Sequence, residues 1–266
     1  MTAGLLTSRL LKAHRVPHGF SLRSGGVSEG PFASLNLGAA TGDAPERVEE
    51  NLRRFLEAVG VARALLPTVV QVHGDKVVHA WPEGEGVSLR TSVERPAEGG
   101  VLEADAVVAI PGAAAGVRTA DCVPVLLYDP GSGVAAAVHA GWRGTATGIV
   151  SRTLARLVTD YGSEPSQLVA AIGPAIGPCC YEVGDDVAAV FGTDPRLGTG
   201  LVASTGRARL DLRECNRALL VTAGVPDEQV ELVGGCTSCD PAHFFSHRRD
   251  AGRTGRHLAV VAAGRF

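Results

Sequence analysis

Three residues of this chain are potential soft-metal ligands in unusual local sequence: His73 in VVQVHGDKVV, Cys122 in RTADCVPVLLYD and His139 in AAAVHAGWRG. Imidazole and thiolate are donors that zinc favours, and a catalytic zinc keeps three protein ligands and an open fourth position. Such a centre lowers the pKa of bound water to roughly 7 or polarises a substrate oxygen or nitrogen. Two histidines and a cysteine are also the equatorial set of a blue-copper site, whose usual axial ligand is methionine; Met1 is the only methionine here. Cys122 and His139 alone make a nucleophile and base, because an adjacent imidazole favours the thiolate. The plainer reading is two hydrogen-bonded histidines and a small buried thiol. Spacing does not choose among these, since a trio spread over 66 positions (139 minus 73) matches no compact metal motif.

Elements able to position the trio are legible around it. Short apolar runs at VVQV, ADAVVAI, CVPVLLYD, VAAAVHA, LVAAIG and HLAVVAA read as strands, with each candidate ligand where a strand meets a loop. DPGSG between CVPVLLYD and VAAAVHA reads as a hairpin turn, which brings Cys122 and His139 to one end of neighbouring strands. PERVEENLRRFLEAVG carries helix start and stop signals, ATGIVSRTLARLVTDYG is a second amphipathic helix, and DLRECNRALLVTAG opens with Asp211 and Glu214 in a capping-box pattern. The class these elements predict is α+β, layered mixed β-sheets with outer helices.

Composition frames the reading. A chain of 266 residues, 45% hydrophobic, can bury a substantial core, and no linker divides it, so residues 1–266 read as a single domain. The polar, Gly/Pro-rich stretch at residues 81–100 reads as an excursion within that domain. A formal charge of -3 with scattered arginines argues against a nucleic-acid binder. The start MTAGLLTSRLLKAHRV is broken by charge and is neither a signal peptide nor a spanning helix, so a cytoplasmic protein without membrane contact is expected. Six cysteines make no disulfide scaffold. Cys236 and Cys239 form a C-x-x-C without a second such pair, which points to a structural role, and Cys179 and Cys180 sit in a glycine- and proline-rich turn. Neither pair is expected to supply ligands.

Longer blocks say more: residues 20–38 (FSLRSGGVSEGPFASLNLG), TGDAPERVEENLRRF, QVHGDKV, TADCVPVLLYD, VHAGWRGT, GPAIGPCCYEVGDDV and CTSCDPAHFFSHRRDAGRTGR. In that order, over nearly the whole chain, they resemble the YfiH/laccase-domain family, also catalogued as multicopper polyphenol oxidase-like and associated with purine nucleoside phosphorylase activity. The resemblance implies a YfiH-like, cysteine-hydrolase-like fold, and a zinc held by His73, Cys122 and His139 in a pocket for purine nucleosides. It further implies phosphorolysis of adenosine, inosine, guanosine and methylthioadenosine, and hydrolytic deamination of adenosine. The oxidase label fits the residues less well. A coupled copper set draws on many histidines, largely in His-x-His pairs, whereas this chain has eight histidines and no such pair. Copper is expected at most as an adventitious occupant.

Phosphorolysis needs an anion site beside the anomeric carbon, built from guanidinium forks and backbone donors. The candidates are Arg23 with its Ser24-Gly25-Gly26 turn, Asn36, Arg143, and Arg248 or Arg249, with Arg249 grouped with the first three as substrate-binding. Asp121, beside Cys122, reads either as orienting a ligand or as a turn residue. Purine nucleoside and phosphate are thus the expected partners, and the oligomeric state is open. A Cys-His hydrolase acting on an amide such as a peptidoglycan precursor is the alternative, but it gives His73 no role. A partner-binding module explains none of the trio.

Overall fold

The structure, a computed structural model, describes residues 2–91, 102–202, 204 and 206–264. Its strands are β1 (Leu5–Leu6), β2 (His18–Ser21), β3 (Val77–Glu83), β4 (Gly86–Arg90), β5 (Ala106–Ala109), β6 (Ala114–Thr119), β7 (Val123–Tyr128), β8 (Ala135–Ala140), β9 (Val169–Ile172), β10 (Leu201–Val202), β11 (Arg209–Leu210), β12 (Val230–Leu232) and β13 (His257–Ala262). The helices are α1 (Arg9–Ala13), α2 (Pro45–Val59), α3 (Trp142–Thr147), α4 (Ile149–Tyr161), α5 (Asp185–Thr193), α6 (Pro195–Gly198) and α7 (Leu212–Thr222). A seven-stranded mixed sheet runs β12-β9-β7-β8-β5-β3-β4, and a four-stranded antiparallel sheet runs β1-β2-β13-β6. β10 and β11 form a small ribbon.

Side-chain parity builds the layers. In β8, Ala136, Val138 and Ala140 face a core shared with Leu154 and Leu157 of α4 and Leu219 and Leu220 of α7. Ala135 and Ala137 face the opposite way, onto Ala115 and Val117 of β6 and Ala259 and Val261 of β13. Both faces of the strand are therefore covered, and its sequence is continuously apolar up to His139 rather than alternating with polar residues. The far face of the small sheet packs Leu258 and Val260 against Leu52, Phe55 and Leu56 of α2. The order is helices, large sheet, small sheet, helix. The expected layered α+β arrangement is present.

Local chemistry sets the elements. α2 starts with Pro45 and Glu46, buries Val48, Leu52, Phe55 and Leu56 at helical spacing, and ends at Gly60 in the left-handed region. At α7 the Asp211 carboxylate accepts the N–H groups of Arg213 and Glu214. The β7–β8 turn is closed by Asp129, whose side chain accepts Gly131 N–H at 2.8 Å and the hydroxyls of Ser132 and Ser163 at 2.8 and 2.6 Å. Its register pairs Val123 with Ala140 and Pro124 with His139, which puts Cys122 beside the end of β8.

Three sequence expectations change. VVQV is not a strand: only Val70 bridges, to Glu103, because the next amides, from Val72 to Gly74, turn to a carboxylate instead of a neighbouring strand. The stretch from residue 81 begins inside β3 and returns as β4, so its described part is a hairpin; residues 92–101 lie outside the described residues. The helix after His139 starts earlier, at Trp142, and breaks at Gly148, whose φ of 82° ends α3 and starts α4. No helix among the described residues is long and apolar enough to cross a membrane.

His257 joins β13 to the FFSHRRD loop. Its Nε2 accepts Phe245 N–H at 2.8 Å, its Nδ1 lies 3.4 Å from Ser21 Oγ, and both Phe244 and Phe245 pack against the ring. Burial, reinforced by the charges of Arg23 and Arg249, pushes this imidazole down to about 3. The unfolded chain takes up a proton near a pH of about 6.5 that the fold refuses. The resulting stability is complete above that pH and is lost as pH falls toward 3. Melting temperatures from pH 7.5 to 4 should fall more steeply for the wild type than for His257→Gln; parallel curves would remove His257 from the acid response.

Candidate metal centre and its cavity

The centre is organised by an acid. Asp105 is fully buried, and its carboxylate accepts the backbone N–H groups of Val72, His73 and Gly74 at 3.2, 3.0 and 2.7 Å. Three convergent amides form an anion nest, and they hold His73 at a φ of 59°. The same carboxylate meets His139 Nδ1 at 2.8 Å, and the Asp105 carbonyl accepts His139 N–H at 2.7 Å. One side chain thus fixes one histidine through its backbone and the other through its ring.

Cys122 completes the group. A ligand atom from each of His73, Cys122 and His139 lies within 4.8 Å of the other two, and the two imidazoles meet nearly edge to face. With Nδ1 of His139 committed to Asp105, its Nε2 is the nitrogen left for a metal, an arrangement that fixes the tautomer and raises ligand basicity. Gly141 keeps the space open: a Cβ there would lie 3.1 Å from Cys122 Sγ and 3.2 Å from His73 Cδ2. Burial raises the Cys122 thiol, but the charge and hydrogen bonds of His139 and His73 outweigh it and hold the group at about 6. Burial likewise lowers His139, yet Cys122 and Asp105 bring it up to about 9. The cysteine is therefore in its ligand form at neutral pH, while His139 releases a proton when Nε2 binds an ion. Donor set, spacing and supporting carboxylate all fit a tetrahedral ion with one open position.

The trio forms the base of a cavity of about 600 Å³, a size typical of small-molecule sites. Val69, Val70 and Ile176 give it apolar walls, Tyr181 an aromatic one, and Arg118, Arg248, Arg256 and His247 a polar rim. Arg248 lies over the Tyr181 ring at 5.0 Å. Burial and the charges of Cys122 and Asp121 push the Tyr181 phenol up to about 12, so it remains a hydrogen-bond donor. A groove of about 770 Å³ beside Asp75, Lys76, Glu103 and Arg152 includes none of the trio. Its charges are paired as Arg152–Asp75, Lys76–Glu103 and Arg156–Asp160.

The candidate substrate residues divide. Arg23 spends its guanidinium on the carbonyls of Ala33 and Pro241, and Arg249 on Asp250, Thr237 and Phe244; neither lines the cavity. Both hold loops. Asn36 is buried and ties Thr41, Asp43, Gly38 and Arg256 together, supporting the residue 38–41 segment of the cavity wall without lining it. Arg143 is exposed, stacked on Trp142, and outside the lining. Of the two neighbours in FFSHRRD it is Arg248 that faces the cavity. Asp121, at a φ of 86°, accepts Thr237 Oγ1, Ser246 Oγ and Arg248 N–H, so it is a turn residue that anchors the loop carrying Arg248. Asp105, Arg118, Tyr181 and Arg256 escaped the sequence reading. Only Asp105 carried a usable signal, the one acid inside the apolar run ADAVVAI.

An α/β/β/α sandwich with a His-Cys-His trio at the base of a cation-rimmed cavity defines a protein with a candidate metal-ligand set open to a small molecule. The family model described as multi-copper polyphenol oxidoreductase laccase matches residues 17–264. A purine nucleoside phosphorylase of Deinococcus radiodurans is 45% identical over 251 residues, covering 94% of this chain and 90% of that protein. The purine nucleoside phosphorylase YlmD of Geobacillus stearothermophilus is 40% identical, covering 91% and 88%. Among solved structures, the hypothetical protein YfiH of Bacillus licheniformis superposes with a TM-score of 0.83 at 35% identity, covering 94% and 93% of the two chains. YlmD of Geobacillus stearothermophilus gives 0.81 at 37% identity, covering 92% and 91%. The chain belongs to the multi-copper polyphenol oxidoreductase laccase family, with relatives named YfiH and YlmD.

Removing the Asp105 charge tests the clamp. Asp105→Asn should keep its circular dichroism spectrum yet weaken zinc binding at the trio by roughly 10- to 100-fold, read by competition against a chromophoric chelator. Unchanged affinity would show that Asp105 serves folding alone.

Proposed function

We propose that this protein is a zinc-dependent purine nucleoside phosphorylase acting on adenosine, inosine, guanosine and methylthioadenosine, with adenosine deamination at the same centre. One observation carries the reading: the trio and the guanidinium groups of Arg248 and Arg256 share a cavity, and Arg256 stands close enough to Cys122 and Asp121 for their charges to couple. Relatives of similar length bearing the phosphorylase name support it.

In this reading His73, Cys122 and His139 hold the ion, which when bound polarises a substrate oxygen or nitrogen or acidifies water. Arg248 and Arg256 orient phosphate, since guanidinium forks match its oxygens. One phosphate oxygen forms a bond to the anomeric carbon as the glycosidic C–N bond breaks, and the bond electrons leave with the purine. Tyr181, kept protonated, donates a hydrogen bond to the departing base. Val69, Val70 and Ile176 shed water, so phosphate rather than solvent meets the anomeric carbon. Deamination uses the same base position with water as the nucleophile and ammonia as the leaving group. The six cysteines are free, which suits work in a reducing cytoplasm.

Copper chemistry of the polyphenol-oxidase type is not our reading. Among the described residues, two groups of side chains gather donors for a metal, this trio and a set of four cysteines, and only the trio lines the cavity. A Cys122–His139 hydrolase, with Asp105 orienting His139, gives His73 no role.

The test is chromatography of inosine and adenosine reactions with and without phosphate. Free base and ribose 1-phosphate should appear only with phosphate, and His73→Ala should abolish their formation. Arg256→Ala and Arg248→Ala should each raise the KM for phosphate roughly 10- to 100-fold, with a smaller change for the nucleoside. Full turnover by a metal-free His73→Ala protein, or phosphate-independent release of base, would overturn the assignment.

A further inference from the structure

Away from the trio, the two cysteine pairs that the sequence leaves without a metal role converge. Cys179 and Cys180 lie between β9 and α5, and Cys236 and Cys239 between β12 and β13. All four Sγ atoms fall within 4.8 Å of one another, and Cys239 Sγ is 3.3 Å from the sulfurs of both Cys179 and Cys180. A C-x-x-C needs two further thiolates for a tetrahedral site. The fold supplies them from adjacent residues, because the turn bonding Cys180 N–H to the Gly177 carbonyl points both side chains toward Cys239.

We propose that Cys179, Cys180, Cys236 and Cys239 form a second metal centre, a structural tetrathiolate that takes zinc. Disulfides are excluded as the state described, since 3.3 Å far exceeds a sulfur–sulfur bond of about 2.05 Å. A zinc ion with bonds of about 2.3 Å to four sulfurs sets them about 3.8 Å apart at tetrahedral angles, within the spread seen. Backbone donors converge on one of the sulfurs. Cys236 Sγ accepts Gly177 N–H at 3.2 Å, and the amides of Ser238 and Cys239 face it as well. Arg209 donates to the Cys179 carbonyl at 2.8 Å, and Arg213 lies near enough to Cys236 for its charge to be felt. Two cations beside four thiolates and a divalent ion offset its residual negative charge. Gly177 leaves room, as a Cβ there would approach Cys236 Cβ to 3.3 Å and Cys179 Sγ to 3.4 Å.

Four protein sulfurs leave no open position, so this centre positions rather than catalyses. Its two loops are walls of the active cavity. The first carries Ile176 and Tyr181, and the second runs from Thr237, bonded to Asp121, to His247 and Arg248. Around the cluster, Thr237 N–H bonds to the Ala175 carbonyl, and Ala175 bridges Cys236. The ion would staple these loops together, whatever reaction the cavity performs.

The experiment counts zinc by native mass spectrometry on the full chain purified in reductant. The wild type should carry two ions, and His73→Ala/Cys122→Ala should keep one, with Cys179 and Cys239 resisting alkylation although both are exposed. Stripping that remaining ion with a chelator should open all four thiols to alkylation and lower the melting temperature. Cys239→Ser, or Cys179→Ser should the first fail to fold, should each cost one ion and leave the ion of the trio in place. A folded His73→Ala/Cys122→Ala protein that holds no ion, with the four cysteines freely alkylated or joined as disulfides, would overturn the proposal.

Discussion

A carboxylate withdrawn from water must find donors for both oxygens or give up its charge. Asp105 finds four, three from the turn at residues 72–74 and one from the ring of His139. That requirement ties the His73 turn, which pairs with neither strand, to β5 and β8, which pair with each other. His73 reaches the centre because its backbone nitrogen is held by this carboxylate, and His139 presents Nε2 because Nδ1 is taken. Burial raises the Asp105 carboxyl, but His139 and the Gly74 and Val72 amides more than reverse that and hold it low. The lowered carboxyl in turn supports the raised basicity of His139. Removing a buried charge's partners is worth roughly 3–5 kcal/mol, so the turn has little freedom to leave.

The rest of the fold brings Cys122 to this clamp. β8 crosses the middle of the large sheet with both faces buried, and its run of alanines leaves space for a second sheet on one side and helices on the other. His139 falls on the face that carries Ala135 and Ala137. The Asp129 turn sets the β7–β8 register, and register alone decides that Cys122 comes beside that histidine instead of on the opposite face.

Much of this was legible in the sequence. The strands at residues 104–110, 122–129, 134–140, 168–173 and 257–263 announce themselves as apolar runs ended by turn residues, α2 and α7 by their start and stop signals, and α4 by its amphipathic spacing. β2 and β6 were missed because HGFS and AAGVRT are short, small and without a clear period. VVQV failed because its amide partner is a side chain 33 positions away, which no local pattern encodes. The arginines failed for a related reason. Arg248 and Arg249 are chemically alike, and only the anchoring of their loop by Asp121 and Ser246 turns one into the cavity and the other onto Asp250. The meeting of Cys179 with Cys239 depends likewise on two loops whose proximity is tertiary.

Charge bookkeeping explains why the rim matters as much as the base. A divalent ion held by the Cys122 thiolate and neutral imidazoles, with Asp105 behind His139, would form a locally neutral unit: plus two from the ion, minus one from each of thiolate and carboxylate. Such a centre exerts little long-range attraction on phosphate. Attraction of an anion then falls to Arg118, Arg248 and Arg256, each of which spends only part of its five donors on backbone carbonyls. Held around apolar walls, their fields are screened less than at an open surface. The base of the cavity is thus suited to polarising a neutral substrate atom and its rim to capturing an anion. That division of labour is what a reaction between a nucleoside and phosphate requires, and a hydrolase of neutral amides would need only the first half of it.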